Sequence, residues 1–383
     1  MALAGAAFAA LPPFVYSPLL TWPLLHLWQT SDRFFGASTS SAERCFVQVN
    51  VRSRLMETTF DMIVEMITGS RCCIGEGKRF VHMAEGAFRL SSIPNPADFM
   101  PFLRWVGVNG LQKRMQRLEK EIDGLIEEIV DEIRRRRTKK EGKCTESGDA
   151  DMTLVVVMLS MQEENPQVYT YNITQGMVEV LLLAGTDTTS VSMEWAMALF
   201  LNHPEALQKV HDEIETHVGH QRLVADSDLS NLRYLNSVIK ETLRLFPPGP
   251  LLVPRESTME CKVGGLHVPR GTMLLVNAHM VHRDPEVWAN PTRFMPERFE
   301  TEEGEGYKFI PFGAGRRRCP GQALAEKTMG LALASLVQCF EWRRVGEEEV
   351  DLSESEGLTA PMAVPLEALC MPRQAMREVL SQL

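Results

Sequence analysis

Over residues 51–69 the apolar side chains Leu55, Met56, Phe60, Ile63, Val64 and Ile67 recur at helical spacing, so one face of this segment is apolar. Pro94, Pro96 and Pro101 then mark a loop. The same period returns over residues 111–137, where Met115, Leu118, Ile122, Leu125, Ile129 and Ile133 are separated by charges. That pattern predicts a long amphipathic helix with one buried stripe; a coiled coil would need more heptads. Further helices are predicted over residues 152–162 and over 174–202, the most apolar of them. Residues 205–220 follow as an amphipathic helix entered through Pro204, a residue suited to a first helical turn. Another helix over 229–246 is stopped by Pro247 and Pro248. Residues 251–276 alone read clearly as strands, punctuated by Gly264-Gly265 and Arg270-Gly271. There is no internal repeat. The pattern predicts a mainly α chain with small β-sheets: one domain over 46–383 behind a leader at 1–45.

Composition narrows the functional classes. Hydrophobic residues make up 44% of the 383 residues, enough for a sizeable core, which excludes wholesale disorder. Lys and Arg number 40 against 50 Asp and Glu, a net charge of −10, which argues against nucleic acid as a partner. The basic run Arg134, Arg135, Arg136, Arg137, Lys139 and Lys140 reads as a solvated helix end. Cysteines stand at 45, 72, 73, 144, 261, 319, 339 and 370 without a CxxC pair or a regular framework, which predicts mostly free thiols. Residues 1–28 carry no Lys, Arg, Asp or Glu, yet Pro12, Pro13, Pro18 and Pro23 interrupt them. A spanning helix needs roughly 20 continuous apolar residues, so the reading does not favour an anchor here.

One cysteine stands apart. The segment Phe312-Gly313-Ala314-Gly315-Arg316-Arg317-Arg318-Cys319-Pro320-Gly321 precedes a helix-period run through Ala323, Leu324, Met329, Leu333, Leu336, Val337 and Phe340. Cys319 therefore sits just before a helix N-terminus, where free N–H groups and the positive dipole end favour a thiolate. Arg317 is expected to add positive charge, and Gly315 and Gly321 to allow tight turns and close backbone approach to a flat ligand. A lone cysteine at such a turn is more often just a small packed residue. A cysteine hydrolase would need a neighbouring histidine base, and none follows His282 in the sequence.

The full pattern F-x-x-G-x-R-x-C-x-G decides against the lone-cysteine reading, because its five fixed positions meet by chance on the order of once in 10,000 chains of this length. It resembles the heme-binding loop of the cytochromes P450. The resemblance implies heme b (iron protoporphyrin IX) with Cys319 as iron ligand, Phe312, Gly315 and Gly321 shaping the loop, and Arg317 against a propionate. A thiolate ligand pushes electron density onto iron and favours O–O cleavage. Glu241 and Arg244, one helical turn apart, and Arg298 in Pro296-Glu297-Arg298-Phe299 are similar to the family's structural E-x-x-R and P-E-R-F elements. Ala184-Gly185-Thr186-Asp187-Thr188-Thr189 resembles its oxygen-binding groove. By that likeness Thr188 hydrogen-bonds in the groove, Asp187 relays protons, and Ala184 and Gly185 line the pocket. Leu251, Leu252 and Val253 would line it too, with Arg255 reaching a propionate and Ala363 closing the far side.

The resemblance runs from about residue 51 to 373. Its wording is similar to plant members that include the isoflavone hydroxylases. It implies a monooxygenase that inserts one atom of O2 into a small apolar or phenolic, flavonoid-like molecule. Electrons would come from NADPH through NADPH–cytochrome reductase, at the cytosolic face of the endoplasmic reticulum membrane. The family's N-terminal strands and helices, with their Trp-x-x-x-Arg motif, find no counterpart before Val51, so the expectation is an N-terminally incomplete member. The alternative is a non-catalytic remnant that binds heme weakly or not at all.

Overall fold

The computed structural model describes residues 46–68, 77–91, 93, 100, 102–103, 110–141, 153–301 and 306–382. Cys45, Cys72, Cys73, Cys144 and the leader at 1–45 lie outside them.

The elements run β1 (Val47–Asn50), α1 (Val51–Thr68), α2 (Gly77–Ser91), α3 (Leu111–Glu141), α4 (Leu154–Glu164), α5 (Tyr171–Asn202), α6 (Pro204–His217) and α7 (Arg233–Leu245). Short strands follow: β2 (Arg255–Glu256), β3 (Cys261–Val263), β4 (Leu266–Val268) and β5 (Met273–Leu274). The chain continues through α8 (Gln322–Cys339), β6 (Phe340–Arg344) and β7 (Glu367–Pro372). The predicted helices are all present, with ends shifted by a few residues. The segment before α7 differs: Asp226–Asn231 is a separate 3₁₀ turn, because Asp228 turns back to accept from Ala225 N–H at 2.8 Å.

Residues 251–276 form two small antiparallel pairs, β2 with β5 and β3 with β4, the latter turning at Gly264 and Gly265, both with positive φ. They are not the chain's main sheet. That sheet is β1-β7-β6, antiparallel throughout, pairing Val47 with Cys370 and Trp342 with Cys370.

Two apolar cores meet along α5. Its early turns, with Val178, Leu181 and Leu182, pack with α1, α2, α3 and α4. Its later turns, from Val191 to Leu201, pack with α6, α7, α8 and the sheet. Residues 185–189, the polar interruption in this apolar helix, fall at the seam. The helix runs unbroken through them. A Cβ on Gly185 would come within 3.1 Å of Ile63 Cδ1. Glycine here lets α5 approach α1 closely.

Candidate active site

The cysteine loop begins at a buried charge cluster. Arg244 grips Glu241 with two bonds, Nε to Oε2 at 2.7 Å and Nη2 to Oε1 at 2.8 Å, and neither side chain meets solvent. Arg298 Nε joins the same carboxylate at 3.3 Å and its Nη groups bond Ala289 O and Asn290 O. The other arm of Arg244 donates to His282 O at 2.6 Å and Pro291 O at 2.7 Å. Glu241, Arg244 and Arg298 thus come together as expected, and they lie away from any open face.

His282 carries this cluster to the loop. The resemblance gave no hint of it. Its carbonyl is held by Arg244, and its Nε2 accepts from Ile310 N–H at 2.9 Å. Burial first, and the Arg244 charge next, push its imidazole down to about 4. The folded chain keeps His282 neutral, while an unfolded chain binds a proton near pH ~6.5. Stability from this site is therefore full above about 6.5 and is lost as pH falls toward 4, by on the order of 3 kcal/mol. Urea unfolding at pH 7 and pH 4.5 should show that loss in the natural chain and a shallower one in His282→Gln.

From Ile310 the backbone folds back on itself. Gly313 N–H donates to Ile310 O at 3.0 Å, Arg318 N–H to Gly315 O at 3.1 Å, and Cys319 N–H to Phe312 O at 2.9 Å. Gly313 and Gly315 take φ of 71° and 70°, which side chains disfavour. Gly321, expected at a tight turn, has an ordinary φ of −86° and is the N-cap of α8. Its contribution is an N–H aimed at the Cys319 sulfur. Phe312 anchors the loop against the core.

Two expectations about charge need correcting. The Arg318 guanidinium is the positive charge that lowers the Cys319 thiol, where the sequence pointed to Arg317. The Cys319 thiol is also raised above its ordinary value, since burial of the sulfur outweighs the Gly321 N–H and Arg318. The residue lies at the surface of the loop. Loop and helix end alone do not make a thiolate here. A bound cation such as iron would, since metal coordination deprotonates a thiol outright.

No other described cysteine competes. Cys339 and Cys370 are buried in the core, their thiols pushed up to about 12, and Cys261 sits on the exposed β3–β4 hairpin. The four described cysteines are free, as the spacing suggested.

Of the remaining predicted residues, Leu252 and Arg255 touch this loop. On α5, Val180 (61% exposed), Ala184 and Thr188 recur every fourth residue as an open stripe on a largely buried helix. Thr188 Oγ1 donates to Ala184 O at 2.6 Å, while Asp187 is buried. Leu252 stands with φ of 52°, unusual for a leucine, and its Cδ1 lies 3.9 Å from where a Gly313 Cβ would be. Leu251 and Val253 beside it are exposed. Arg255 Nη2 donates to Arg317 O at 3.0 Å, which fastens the β2 strand to the cysteine loop. On the far side Ala363 and Val364 are exposed on a strap whose Ala360 O accepts from Trp195 Nε1 at 2.9 Å. The loop thus carries a soft sulfur donor and exposed arginines, with Leu252 and its exposed aliphatic neighbours Leu251 and Val253 beside it. That donor set fits a heme: thiolate for iron, guanidinium for propionate, aliphatic surface for the macrocycle.

The family model for cytochrome P450 matches residues 35–366. This chain is a cytochrome P450. It is 45% identical to a (+)-piperitol/(+)-sesamin synthase of Sesamum radiatum over 92% of this chain and 68% of that one. An isoflavone 2'-hydroxylase of Glycyrrhiza echinata is 42% identical over 88% of this chain and 67% of its own length. The fold agrees with a zebrafish cytochrome P450 solved with abiraterone, at TM-score 0.69 and 25% identity, covering 85% of this chain and 72% of that one. The P450 reading, its monooxygenase class and the likeness to plant members with isoflavone hydroxylases among them therefore hold. Among the described residues, no helix of this P450 is long and apolar enough to cross a membrane.

Proposed function

We propose that this P450 hydroxylates a small apolar or phenolic, flavonoid-like plant metabolite, with O2 as oxidant and electrons passed from NADPH by NADPH–cytochrome reductase. What supports the reading is the P450 family match together with the glycine-turned Cys319 loop set before α8 and the Thr188 hydroxyl on α5. Heme b, when bound, supplies the activation of O2. The chain's own residues do the rest. Cys319 Sγ would hold the iron, and Arg317 and Arg255 would meet the propionate charge. Leu251, Leu252, Val253 and Ala363 form an apolar wall that seats the substrate and keeps water out. Thr188 Oγ1 offers a hydroxyl at the groove, and Asp187, one residue back, carries protons toward it.

Reductase docking is supported by the exposed Arg316, Arg317 and Arg318. A groove of about 760 Å³ lies beside them between α7, α8 and the loop, rimmed by Lys240, Arg318 and Lys327 along with Glu326. No residue of α5 lines it, so partner and substrate would use opposite sides of the loop. The endoplasmic reticulum membrane as the site of action is supported by family membership alone.

The test is turnover with reductase, NADPH and an isoflavone under isotopically labelled dioxygen. One labelled oxygen atom in the product is the expected result; product without label, or none across isoflavone and lignan scaffolds, contradicts the substrate class.

A further inference from the structure

Behind the open face, a fully buried carboxylate has no part in the chemistry described so far. Glu194 on α5 takes both its oxygens to Arg52 Nε, at 3.0 and 2.7 Å, and Oε1 also accepts from Leu366 N–H at 2.8 Å. Arg52, near the start of α1, extends its Nη2 to Met362 O at 2.6 Å. The neighbouring Val51 N–H bonds Leu366 O at 2.8 Å. Next to Glu194, Trp195 holds Ala360 O and stacks on Phe246 with ring centroids 4.0 Å apart. The backbone groups held here, those of Ala360, Met362 and Leu366, are all on the strap over residues 360–366. Its Met362 and Leu366 are buried, while Ala363 and Val364 between them are exposed.

We propose that Arg52 and Glu194 are positioning residues for substrate: their ion pair fixes the path of the strap and hence where Ala363 and Val364 stand in the pocket wall. This rests on the monooxygenase reading above. Stability alone does not call for such a pair, since an apolar pair of similar volume often serves as well. What the charges add is direction. A guanidinium forked between a carboxylate and a strap carbonyl ties α1, α5 and the strap in one arrangement, where apolar packing would tolerate several. Glu194 itself is pushed up by burial and held down by Arg52 and the Leu366 N–H, so its charge and its strap contacts depend on each other.

The double variant Arg52→Met/Glu194→Gln removes both charges, keeps an acceptor for Leu366 N–H and frees Met362 O from its donor. Arg52→Lys, which keeps the charge but loses the fork, is the milder second variant. Two quantities are read: amide hydrogen exchange over residues 360–366, which needs no heme, and the spectral affinities of imidazole and 4-phenylimidazole in the heme-loaded chain. Imidazole reports the iron alone; its phenyl derivative also feels the wall. In the double variant we expect strap exchange about tenfold faster and 4-phenylimidazole about tenfold weaker, a change of roughly 1.4 kcal/mol. Imidazole binding and exchange in α7 and α8 should be unchanged, and Arg52→Lys should move the same two quantities less. Unchanged strap exchange, or equal loss of both ligands, overturns the proposal. A natural chain that takes up no heme contradicts the monooxygenase reading instead, and strap exchange still decides the anchor.

Discussion

Arg244→Met is expected to leave no stably folded chain. The substitution strands Glu241, fully buried, without its counter-charge, and breaking a buried pair this way costs about 3–5 kcal/mol. It also removes the donor to His282 O, Pro291 O and Arg293 O, and each buried acceptor left unmade adds about 1–3 kcal/mol. Domains of this kind hold only about 5–15 kcal/mol in all. The loss should reach the cysteine loop first, because His282 loses the bond that orients it toward Ile310. Arg244→Lys keeps the charge but cannot fork to both carboxylate oxygens, so it should recover only part of the stability. Soluble yield and thermal unfolding read the effect. A variant Arg244→Met that melts within a few degrees of the natural chain would show that the cluster is not the support of the loop.

Cys319→His is expected to abolish monooxygenase turnover completely, since an imidazole offers iron a neutral nitrogen without the electron push of a thiolate. Heme binding itself can persist, because the arginines and the apolar wall remain. Cys261→Ser, on the exposed hairpin far along the chain from the loop, should leave turnover as it was. Turnover retained in Cys319→His, with heme bound, would place the ligand elsewhere.

How much of this was legible in the sequence follows the range of the interactions. Local pattern was enough for α1, α3 and α5, whose stripes of Leu, Ile and Met keep one period over many turns. The cysteine loop was legible because its signals, glycines, arginines and a helix start, fall within ten residues. Glu241 and Arg244 were legible as a pair one turn apart, although their burial and the role of His282 were not. The main sheet was missed. β1 and β7 pair residues more than 300 positions apart, and β6 follows α8 with no turn residue between Cys339 and Phe340 to announce it. α2 was missed as well, its short apolar pattern being diluted by Gly77 and Gly86. The Arg52–Glu194 pair spans 142 residues, and no spacing rule reaches that far. That Arg318 rather than Arg317 bears on the thiol is a finer matter, which three consecutive arginines do not reveal.

The central claim, that Cys319 holds heme iron as a thiolate, is tested most directly by the reduced carbon-monoxide difference spectrum of the purified, heme-supplied chain. The expected result is the Soret band of a thiolate-ligated ferrous carbonyl complex, present in the natural chain and absent in Cys319→His. A natural chain that binds heme yet gives no such band, or a Cys319→His variant that keeps it, would contradict the account.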